Sequence, residues 1–383
     1  MKPNLIEVVS HFGFIGEFFS AELFECGNIN DTYIVTFKSG NDEVNRYIMQ
    51  KINHNVFKEP YSLMKNVIAV TEHIRKKVIG QGGNPVRETL NFIPVDDGGF
   101  VHKCACGNYW RAYSYIDGVS TYQIVEDPVH FQNAGRAFGK FQRSLRDFPA
   151  AELYETIPDF HNTSKRYKAF LKAVDSDAAN RVKTIRSEIT FVKERAEFLS
   201  LLIDLIEKGD IPLRVTHNDT KFNNVLIDNK TGEGICVIDL DTVMPGASLY
   251  DFGDSIRSGA NTAGEEELDL SKVGMDLELF EKFTRGFLEH TYDFLTPVEI
   301  EYLPFSAILI TIELGMRFLT DYINGDVYFK TNRPNQNLNR AQVQFRLAAD
   351  MEAKYDKMKS IVEKYTLADI SAVNSYENAP AIV

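Results

Sequence analysis

Hydrophobic and polar positions alternate in two different ways along the chain, and the change between them divides it. Up to about residue 116, runs of period two predict strands at 21–37, around a turn, and at 46–52 and 108–116. One stretch between them, residues 60–79, has apolar residues at helical spacing. Helical spacing then dominates. The pattern predicts an α+β protein, with a mixed β/α lobe at 1–116 and a mainly helical lobe at 117–383.

Helical spacing recurs in several long stretches of the second lobe. The predicted helices cover residues 131–145, 182–206, 275–294, 297–323 and 340–365. The longest apolar run, Leu303–Ile312, is too short to span a membrane. The N-terminus lacks the apolar core of a signal peptide. We therefore expect a cytoplasmic protein without a membrane partner.

Composition narrows the class of protein only moderately. The formal net charge of −12 argues against binding to the phosphate backbone of nucleic acids. Four cysteines are scattered along the chain, at 26, 104, 106 and 236. The Cys-x-Cys pair has no histidine cluster nearby and is weak support for a zinc site. We expect four reduced thiols.

One segment, residues 212–257, concentrates the candidate chemistry. A short apolar run leads into His217 and Asp219, and Asn224 follows five residues after Asp219. The catalytic loop of protein kinases, H-R-D-x-x-x-x-N, has the same offsets. There the aspartate accepts the proton of the acceptor hydroxyl, and the asparagine offers an oxygen to Mg²⁺. We predict Asp219 as a catalytic residue and Asn224 as a metal ligand. An isolated histidine in such a loop more often braces it, and we assign His217 that role.

Two further carboxylates follow the second of two strand-like runs, 225–227 and 235–238. These are Asp239 and Asp241. Because Mg²⁺ prefers oxygen ligands and retains several waters, one or two carboxylates suffice to hold it. We predict Asp239 as the charged metal ligand, with Asp241 as a second ligand or as its support. Lys221 is predicted to bring positive charge to the transferred phosphoryl group; a solvated lysine is the alternative.

The amino-acid sequence of this segment resembles that of a known group of enzymes. The Brenner-type motif of the aminoglycoside phosphotransferase and choline kinase superfamily is similar to three runs in this segment, HNDTKFNNVLID, VIDLDTVMPG and YDFGDSIR. Within that superfamily, these runs resemble the N-acetylhexosamine 1-kinases most closely. The resemblance extends over residues 21–350, because three further runs are also similar in sequence: NINDTYIV, RYIMQKIN and ELGMRFLTDYINGDVYFK. The resemblance implies a bilobal protein-kinase-like fold. It also implies ATP and Mg²⁺, and transfer of the γ-phosphoryl group to the anomeric hydroxyl of N-acetylglucosamine or N-acetylgalactosamine.

The same resemblance implies roles outside the catalytic loop. The aspartate of the DFG string, Asp251, is expected to brace the catalytic loop and not to bind metal. Arg317 and Tyr328 are expected to contact the sugar together with Asp219. Arg317 has an alternative interpretation, because Glu313 and Asp321 lie four residues away on either side. This spacing also favours a ladder of salt bridges along the helix.

The nucleotide side of the predicted site is less well defined. Gly27 lies in the turn between the first two strands, where backbone N–H groups could approach phosphates; an ordinary hairpin turn is an equal alternative. The superfamily's basic position on the third strand falls on Gln50, with Lys51 beside it. Neighbouring strand residues point to opposite faces, so the pattern leaves the phosphate-binding cation open. Lys51 is the candidate phosphate ligand, and a solvated lysine is the alternative. Tyr113 and Tyr115 fall in the predicted hinge that meets the adenine.

Other functions remain open at this point. The acceptor could be choline, which favours an aromatic cage, or an aminoglycoside or homoserine. Arg317 in the cleft would disfavour choline and aminoglycosides, which are cations. The chain could also be an inactive kinase fold that only binds nucleotide. A hydrolase is remote, since no G-x-S-x-G motif is present. The expected partners are ATP and a small sugar, without nucleic acid, and the oligomeric state is left open.

Overall fold

The computed structural model describes residues 5–24, 29–40 and 43–377, with side chains through residue 366. Gly27, the predicted phosphate-loop glycine, lies outside these residues. The described strands are β1 (Glu17–Phe24), β2 (Asp31–Lys38), β3 (Val44–Ile52), β4 (His102–Lys103), β5 (Tyr109–Ser114), β6 (Val119–Ser120), β7 (Arg214–Thr216), β8 (Val225–Asp228), β9 (Gly234–Val237) and β10 (Met244–Gly246).

Helices supply most of the chain after residue 127. The described helices are α1 (Leu5–Val9), α2 (Pro60–Gly80), α3 (Pro128–Leu145), α4 (Thr163–Ser176), α5 (Arg186–Glu194), α6 (Leu201–Lys208), α7 (Ser248–Gly259), α8 (Leu277–Thr291), α9 (Pro297–Glu301), α10 (Leu303–Ile323), α11 (Gln336–Ala353) and α12 (Tyr355–Glu377). With the antiparallel sheets, they form the α+β kinase-like fold that the sequence predicts.

The small lobe is built on one antiparallel sheet with the strand order β1-β2-β3-β5-β4. Neighbouring residues of β3 point to opposite faces. On one face, Met49 and Trp110 are buried in the same cluster as residues of α1. On the other face, Ile52 packs with the apolar side of α2. β5 ends at Ser114, two residues before the predicted lobe boundary, and that boundary stays a prediction.

Two short strand pairs bring the chemical segment together. β8 and β9 form the predicted hairpin, and β6 extends it. β7 pairs with β10 in an antiparallel register that sets Thr216 opposite Met244. The loop that follows β7 therefore lies beside the loop that follows β9. Residues 217–219 and 239–243, distant in sequence, become neighbours through this pairing.

The second lobe packs around α10. This helix is long and apolar enough to cross a membrane, but 78% of its most apolar window is buried in the protein. It packs against α7, α11 and α4. Gly253 of α7 lies so close to α10 that an added Cβ would be 2.6 Å from the carbonyl oxygen of Ser306. The glycine of the DFG string is therefore needed for this close helix contact, which places α7 and its Asp251 against the loop that follows β7.

Three of the long predicted helices are wrong as single elements. Residues 182–206 form α5 and α6 with 3₁₀ turns beside them, and the chain leaves the helix at Arg195. Residues 297–323 divide at Tyr302, because Pro304 lacks an N–H and cannot continue a helix from α9. The last helix divides at Lys354 into α11 and α12. The sequence analysis also missed α4 entirely.

The cysteines differ in part from the expectation. The Sγ atoms of Cys104 and Cys106 are bonded to each other, between β4 and β5. Cys236 is a free, buried thiol, and burial raises its pKa to about 12. Cys26 lies outside the described residues. The expectation of reduced thiols therefore fails for the Cys104–Cys106 pair.

Candidate active site

His217 is enclosed and carries its hydrogen on a defined nitrogen. The residue has no exposed surface and packs edge-on against Phe138 and Phe141. Its Nε2 lies 2.8 Å from the carbonyl oxygen of Ile238, which can only accept, so Nε2 carries the hydrogen. Its Nδ1 then accepts from the backbone N–H of Asp219 at 3.2 Å. The ring thus ties the start of the catalytic loop to the end of the β8–β9 hairpin.

The loop between β7 and Asp219 is held mainly by Asp251. One carboxylate oxygen accepts from the N–H of Asn218 at 2.7 Å; the other accepts from the N–H of His217 at 3.0 Å and from Gln142 Nε2 at 2.8 Å. Asn218 has φ +65°, a conformation that asparagine tolerates better than most residues. These bonds satisfy two buried backbone donors and fix the direction in which Asp219 leaves the loop.

Asp219 forms a compact group with two of the other predicted residues. Lys221 Nζ lies 2.8 Å from Asp219 Oδ1. Asn224 Nδ2 donates to the carbonyl oxygen of Asp219 at 2.7 Å and lies 3.4 Å from Asp219 Oδ2. Burial opposes ionisation of Asp219, but the charge and hydrogen bond of Lys221 outweigh it and lower the pKa of Asp219 below its ordinary value. The carboxylate is therefore ionised and ready to accept a hydrogen bond.

Asp239 is the site carboxylate that forms no hydrogen bond or ion pair with a described residue. It follows β9 with φ +60°, faces the same cleft as Asp219 and Asn224, and accepts no hydrogen bond from a described residue. Burial, with the nearby carboxylates of Asp241 and Asp219, raises the pKa of Asp239 to about 6. A divalent cation would relieve this crowding of negative charge.

The donor set suits Mg²⁺. Because Asn224 uses its Nδ2 toward Asp219, its Oδ1 is the atom left for a ligand. The described residues contain no cluster of three or more His, Cys, Asp or Glu arranged to hold a metal. One carboxylate and one amide oxygen nevertheless fit Mg²⁺, which usually takes one or two carboxylates and completes its shell with phosphate and water.

Asp241 is engaged differently from Asp239. The residue is 3% exposed, and its Oδ1 accepts from Arg111 Nη1 in a buried ion pair. Its Oδ2 accepts from Asn30 Nδ2 at 2.7 Å. Both carboxylate oxygens are thus used by residues of the small lobe. This geometry favours the supporting alternative for Asp241 over direct metal ligation.

The predicted nucleotide residues are divided between the cleft and the outer face. Tyr113 and Tyr115 line the cleft, as does Gln50. Burial raises the pKa of the Tyr113 phenol above its ordinary value. The structure does not bring Lys51 to the cleft: it lies on the other face of β3 and pairs with Asp31. The choice of Lys51 over Gln50 therefore has no geometric support.

Arg317 faces the cleft without an acidic partner. Its guanidinium lies 5.1 Å from the ring centre of Phe160 and 5.7 Å from that of Phe329, and it forms no ion pair with a described residue. The alternative salt-bridge ladder is absent among these side chains. Glu313 contacts His161 instead, and Asp321 accepts from three backbone N–H groups at residues 327–329. Tyr328 lies at the rim, 60% exposed.

Several residues that line or support this cleft were not predicted from the sequence. Asp254 is 6% exposed, binds Arg257 through Oδ1 and has no partner for Oδ2 among the described residues. Arg111 and Asn30 were not considered. A charged residue inside the apolar run YWRAYSYI was a usable signal for Arg111. Nothing in the spacing linked Asn30 to Asp241, 211 residues away.

Fold and site together define a class of protein: a phosphotransferase with a protein-kinase-like fold. The sequence profile of the phosphotransferase enzyme family matches residues 20–276 of this chain. The match covers most of the 383 residues. The protein therefore belongs to the phosphotransferase enzyme family.

Solved structures show the same architecture. A microcompartment-associated aminopropanol kinase has a TM-score of 0.58 at 15% identity, covering 92% of this chain and 97% of its own. An aminoglycoside phosphotransferase from Alicyclobacillus acidocaldarius has a TM-score of 0.59 at 12% identity, covering 95% and 98%. An amicoumacin kinase in complex with AMP-PNP and Ca²⁺ has 0.57 at 12%, covering 96% and 94%. At these identities the likeness establishes the fold and leaves the acceptor open.

The raised pKa of Asp239 leads to a prediction about stability. An aspartate in an unfolded chain has a pKa of about 3.9, so folding disfavours the ionised form between that pH and about 6. This free-energy cost to folding is absent at a pH well below 3.9, where Asp239 is protonated in both the folded and the unfolded protein. It reaches its full value at neutral pH, where the residue is ionised in both. Asp239→Asn should therefore stabilise the metal-free protein by up to about 3 kcal/mol at pH 7.5, and by only about 0.5 kcal/mol near pH 4, where about half of the unfolded chains are still protonated at this residue. Urea unfolding in EDTA at both pH values measures this.

Asp210→Asn is the matched control. Asp210 is exposed just after α6, and its side chain makes no hydrogen bond with a described residue. Its replacement should leave the unfolding midpoint unchanged at both pH values. If Asp239→Asn were less stable than the wild type at pH 7.5, the carboxylates would not be crowded as described.

Proposed function

We propose that this protein is an ATP-dependent kinase that phosphorylates the anomeric hydroxyl of N-acetylglucosamine or N-acetylgalactosamine. The anomeric oxygen forms a bond to the γ-phosphorus, the bond between that phosphorus and the β,γ-bridging oxygen breaks, and ADP leaves. One observation carries the proposal: Asp219, Asn224, Asp239 and Arg317 line one cleft of about 1290 Å³. Pockets for one small ligand usually measure about 300–1,000 Å³. This cleft has room for a nucleotide and a sugar.

Asp219 is the proposed catalytic residue. Its ionised carboxylate accepts a hydrogen bond from the acceptor hydroxyl, aligns the oxygen with the γ-phosphorus and takes the proton as the new bond forms. Lys221, 2.8 Å from Asp219 Oδ1, places a positive charge beside the transferred group. General-base assistance of this kind contributes about 10²–10⁴ in rate. His217 and Asp251 act as braces that fix the position of the carboxylate.

Asn224 and Asp239 are the proposed ligands of Mg²⁺, with Asp241 supporting them through Arg111 and Asn30. The metal supplies positive charge to the phosphates. Asn224 and Asp239 offer it two oxygens. The β8–β9 hairpin and the bond from the His217 ring to the carbonyl of Ile238 fix the backbone segments that carry these two residues. Tyr113 and Tyr115 line the part of the cleft proposed for the adenine.

Arg317 supports a neutral, hydroxyl-rich acceptor. A guanidinium without an acidic partner repels choline, ethanolamine-type and aminoglycoside cations, and its N–H groups match sugar hydroxyl or carbonyl oxygens. Phe160 and Phe329 flank it with flat apolar surface. We propose Arg317 as the main sugar ligand and Tyr328 as a contact at the rim. The resemblance to N-acetylhexosamine 1-kinases also favours a sugar acceptor. We propose the cytoplasm as the compartment, because it supplies ATP.

Two alternatives are separated by activity measurements. The enzyme could phosphorylate another small hydroxyl substrate such as homoserine, choline or an aminoglycoside. It could also be an inactive module that binds nucleotide, although an active site is favoured by the ionised Asp219 and by Asp239, whose carboxylate has no partner in the described part of the chain.

The test is a panel of acceptors with Mg-ATP. N-acetylglucosamine, N-acetylgalactosamine, choline, homoserine and an aminoglycoside are compared by ADP release, and the phosphorylated position is located by ³¹P NMR. We expect turnover with an N-acetylhexosamine and a phosphate on its anomeric oxygen. Asp219→Asn, which keeps the shape of the side chain, should lower kcat by at least about 10²-fold while ATP still binds. Turnover with a cationic acceptor alone would contradict the proposal, and so would an active Asp219→Asn variant.

Replacement of Arg317 tests the proposed acceptor site. Arg317→Gln should raise KM for the sugar by about 10–100-fold, because a charged hydrogen bond contributes about 1.5–3 kcal/mol. KM for ATP should stay within about twofold, since the nucleotide binds at the other end of the cleft. Initial rates with each substrate varied in turn measure both constants.

Arg346→Gln serves as the control for this substitution. Arg346 is exposed on α11 and makes no hydrogen bond with a described residue, so its replacement should change neither constant. Equal increases in both KM values for Arg317→Gln would show a general disturbance of the fold, and the sugar role would be rejected.

A further inference from the structure

Gln50 is the polar residue of β3 that lines the cleft, and in protein kinases a lysine on the third strand extends to the nucleotide phosphates. Its side chain lines the cleft, whereas Lys51 lies on the opposite face and pairs with Asp31. The described residues of β3 thus direct an amide, and no lysine, into the cleft. A neutral side chain thus lies where the proposed nucleotide would bring strongly anionic phosphates.

The orientation of the Gln50 amide is fixed by Arg111. Arg111 Nε and Nη2 lie 3.0 and 2.8 Å from Gln50 Oε1. A guanidinium has only donors, so the atom that faces it must be the oxygen. Gln50 Nε2 is therefore turned away from Arg111, toward Thr32 and the cleft. One of its hydrogens reaches Thr32 Oγ1 at 3.1 Å, and the other has no partner among the described residues.

Arg111 is itself held in place. It lies opposite Gln50 on β5, is 3% exposed, and forms the buried ion pair with Asp241. Its Nη1 also lies 3.6 Å from Met64 Sδ of α2. Arg111 does not line the cleft, so the hydrogen bonds by which it can influence a bound ligand run through Gln50. Because the arginine polarises the amide oxygen, the outward N–H of Gln50 becomes a stronger donor.

We propose that Gln50 donates a hydrogen bond from Nε2 to a phosphate oxygen of the nucleotide, and that Arg111 is the residue that positions it. The row Gln50–Arg111–Asp241 takes the place of a phosphate-binding lysine and its acidic partner. The inference rests on the proposed use of ATP. It concerns nucleotide binding, which is measured without turnover.

Gln50→Glu tests the donor directly. A glutamate keeps an oxygen for Arg111, so the ion-pair row and the fold are preserved, but it turns a negative oxygen toward the phosphates. By calorimetry, the Kd for Mg-ATP and for Mg-ADP should rise at least about tenfold. The Kd for adenosine, which has no phosphate, should stay within about twofold. Lys51→Gln, on the outer face of the same strand, should leave all three affinities unchanged.

Each result has a distinct meaning. An equal loss of affinity for adenosine and ATP would show that Gln50 only shapes the cleft, and would overturn the inference. Unchanged ATP affinity in Gln50→Glu, with a wild type that binds ATP, would overturn the inference and leave the proposed kinase function intact. A wild type that binds no nucleotide would overturn the proposed function itself.

Arg111→Lys tests the positioning role. Lysine keeps the positive charge for Asp241 but cannot hold the amide of Gln50 with two donors. Gln50→Ala, which removes the amide, is the reference variant, and the Kd for ATP should rise by about the same factor in Arg111→Lys as in Gln50→Ala. The double variant Arg111→Lys/Gln50→Ala should bind ATP no more weakly than either single variant. Multiplied effects in the double variant would show that Arg111 does not act through Gln50. If Arg111→Lys fails to fold, the Gln50→Glu series still decides the donor.

Discussion

The carboxylate of Asp251 is the contact on which the geometry of the site depends. It accepts the N–H groups of His217 and Asn218, two buried donors at the sharpest bend of the catalytic loop. Buried backbone donors need partners, and here one side chain supplies both. α7 carries this carboxylate and is itself fixed on α10 by the close approach at Gly253. The position of Asp219 is thus set by a helix contact deep in the second lobe.

A second constraint links the two lobes. Arg111 and Asp241 are both 3% exposed and lie 130 residues apart in sequence. A buried ion pair is tolerated when its remaining hydrogen-bonding groups are satisfied, and Gln50 and Asn30 satisfy them here. Asp241 lies two residues after Asp239. The Arg111–Asp241 ion pair therefore connects β5 of the small lobe to the segment that is proposed to hold the metal. In the proposed function, nucleotide, metal and acceptor bind between the two lobes, whose relative position this ion pair helps to fix.

Local patterns in the sequence predicted much of this arrangement. β2, β3 and β5, α2, the β8–β9 hairpin and the loop around Asp219 depend on nearby residues, and the structure contains them. Pro304 was a readable signal for the break before α10 and was overlooked. Arg111 and Asn30 could not be paired with Asp241, because spacing along the chain says nothing about contacts between lobes. The spacing around Arg317 was ambiguous for a similar reason: Glu313 contacts His161, 152 residues away, and the guanidinium has no carboxylate partner among the described side chains.

The central claim is that Asn224 and Asp239 hold a divalent cation on the last phosphate of a nucleotide, opposite Asp219. A crystal structure of the protein with Mg²⁺, AMP-PNP and N-acetylglucosamine measures this most directly. The account predicts Mg²⁺ about 2.1 Å from Asn224 Oδ1 and from one Asp239 oxygen, with the anomeric hydroxyl within hydrogen-bond distance of Asp219. A metal bound away from both side chains, or a γ-phosphate outside the reach of Asp219, would contradict it.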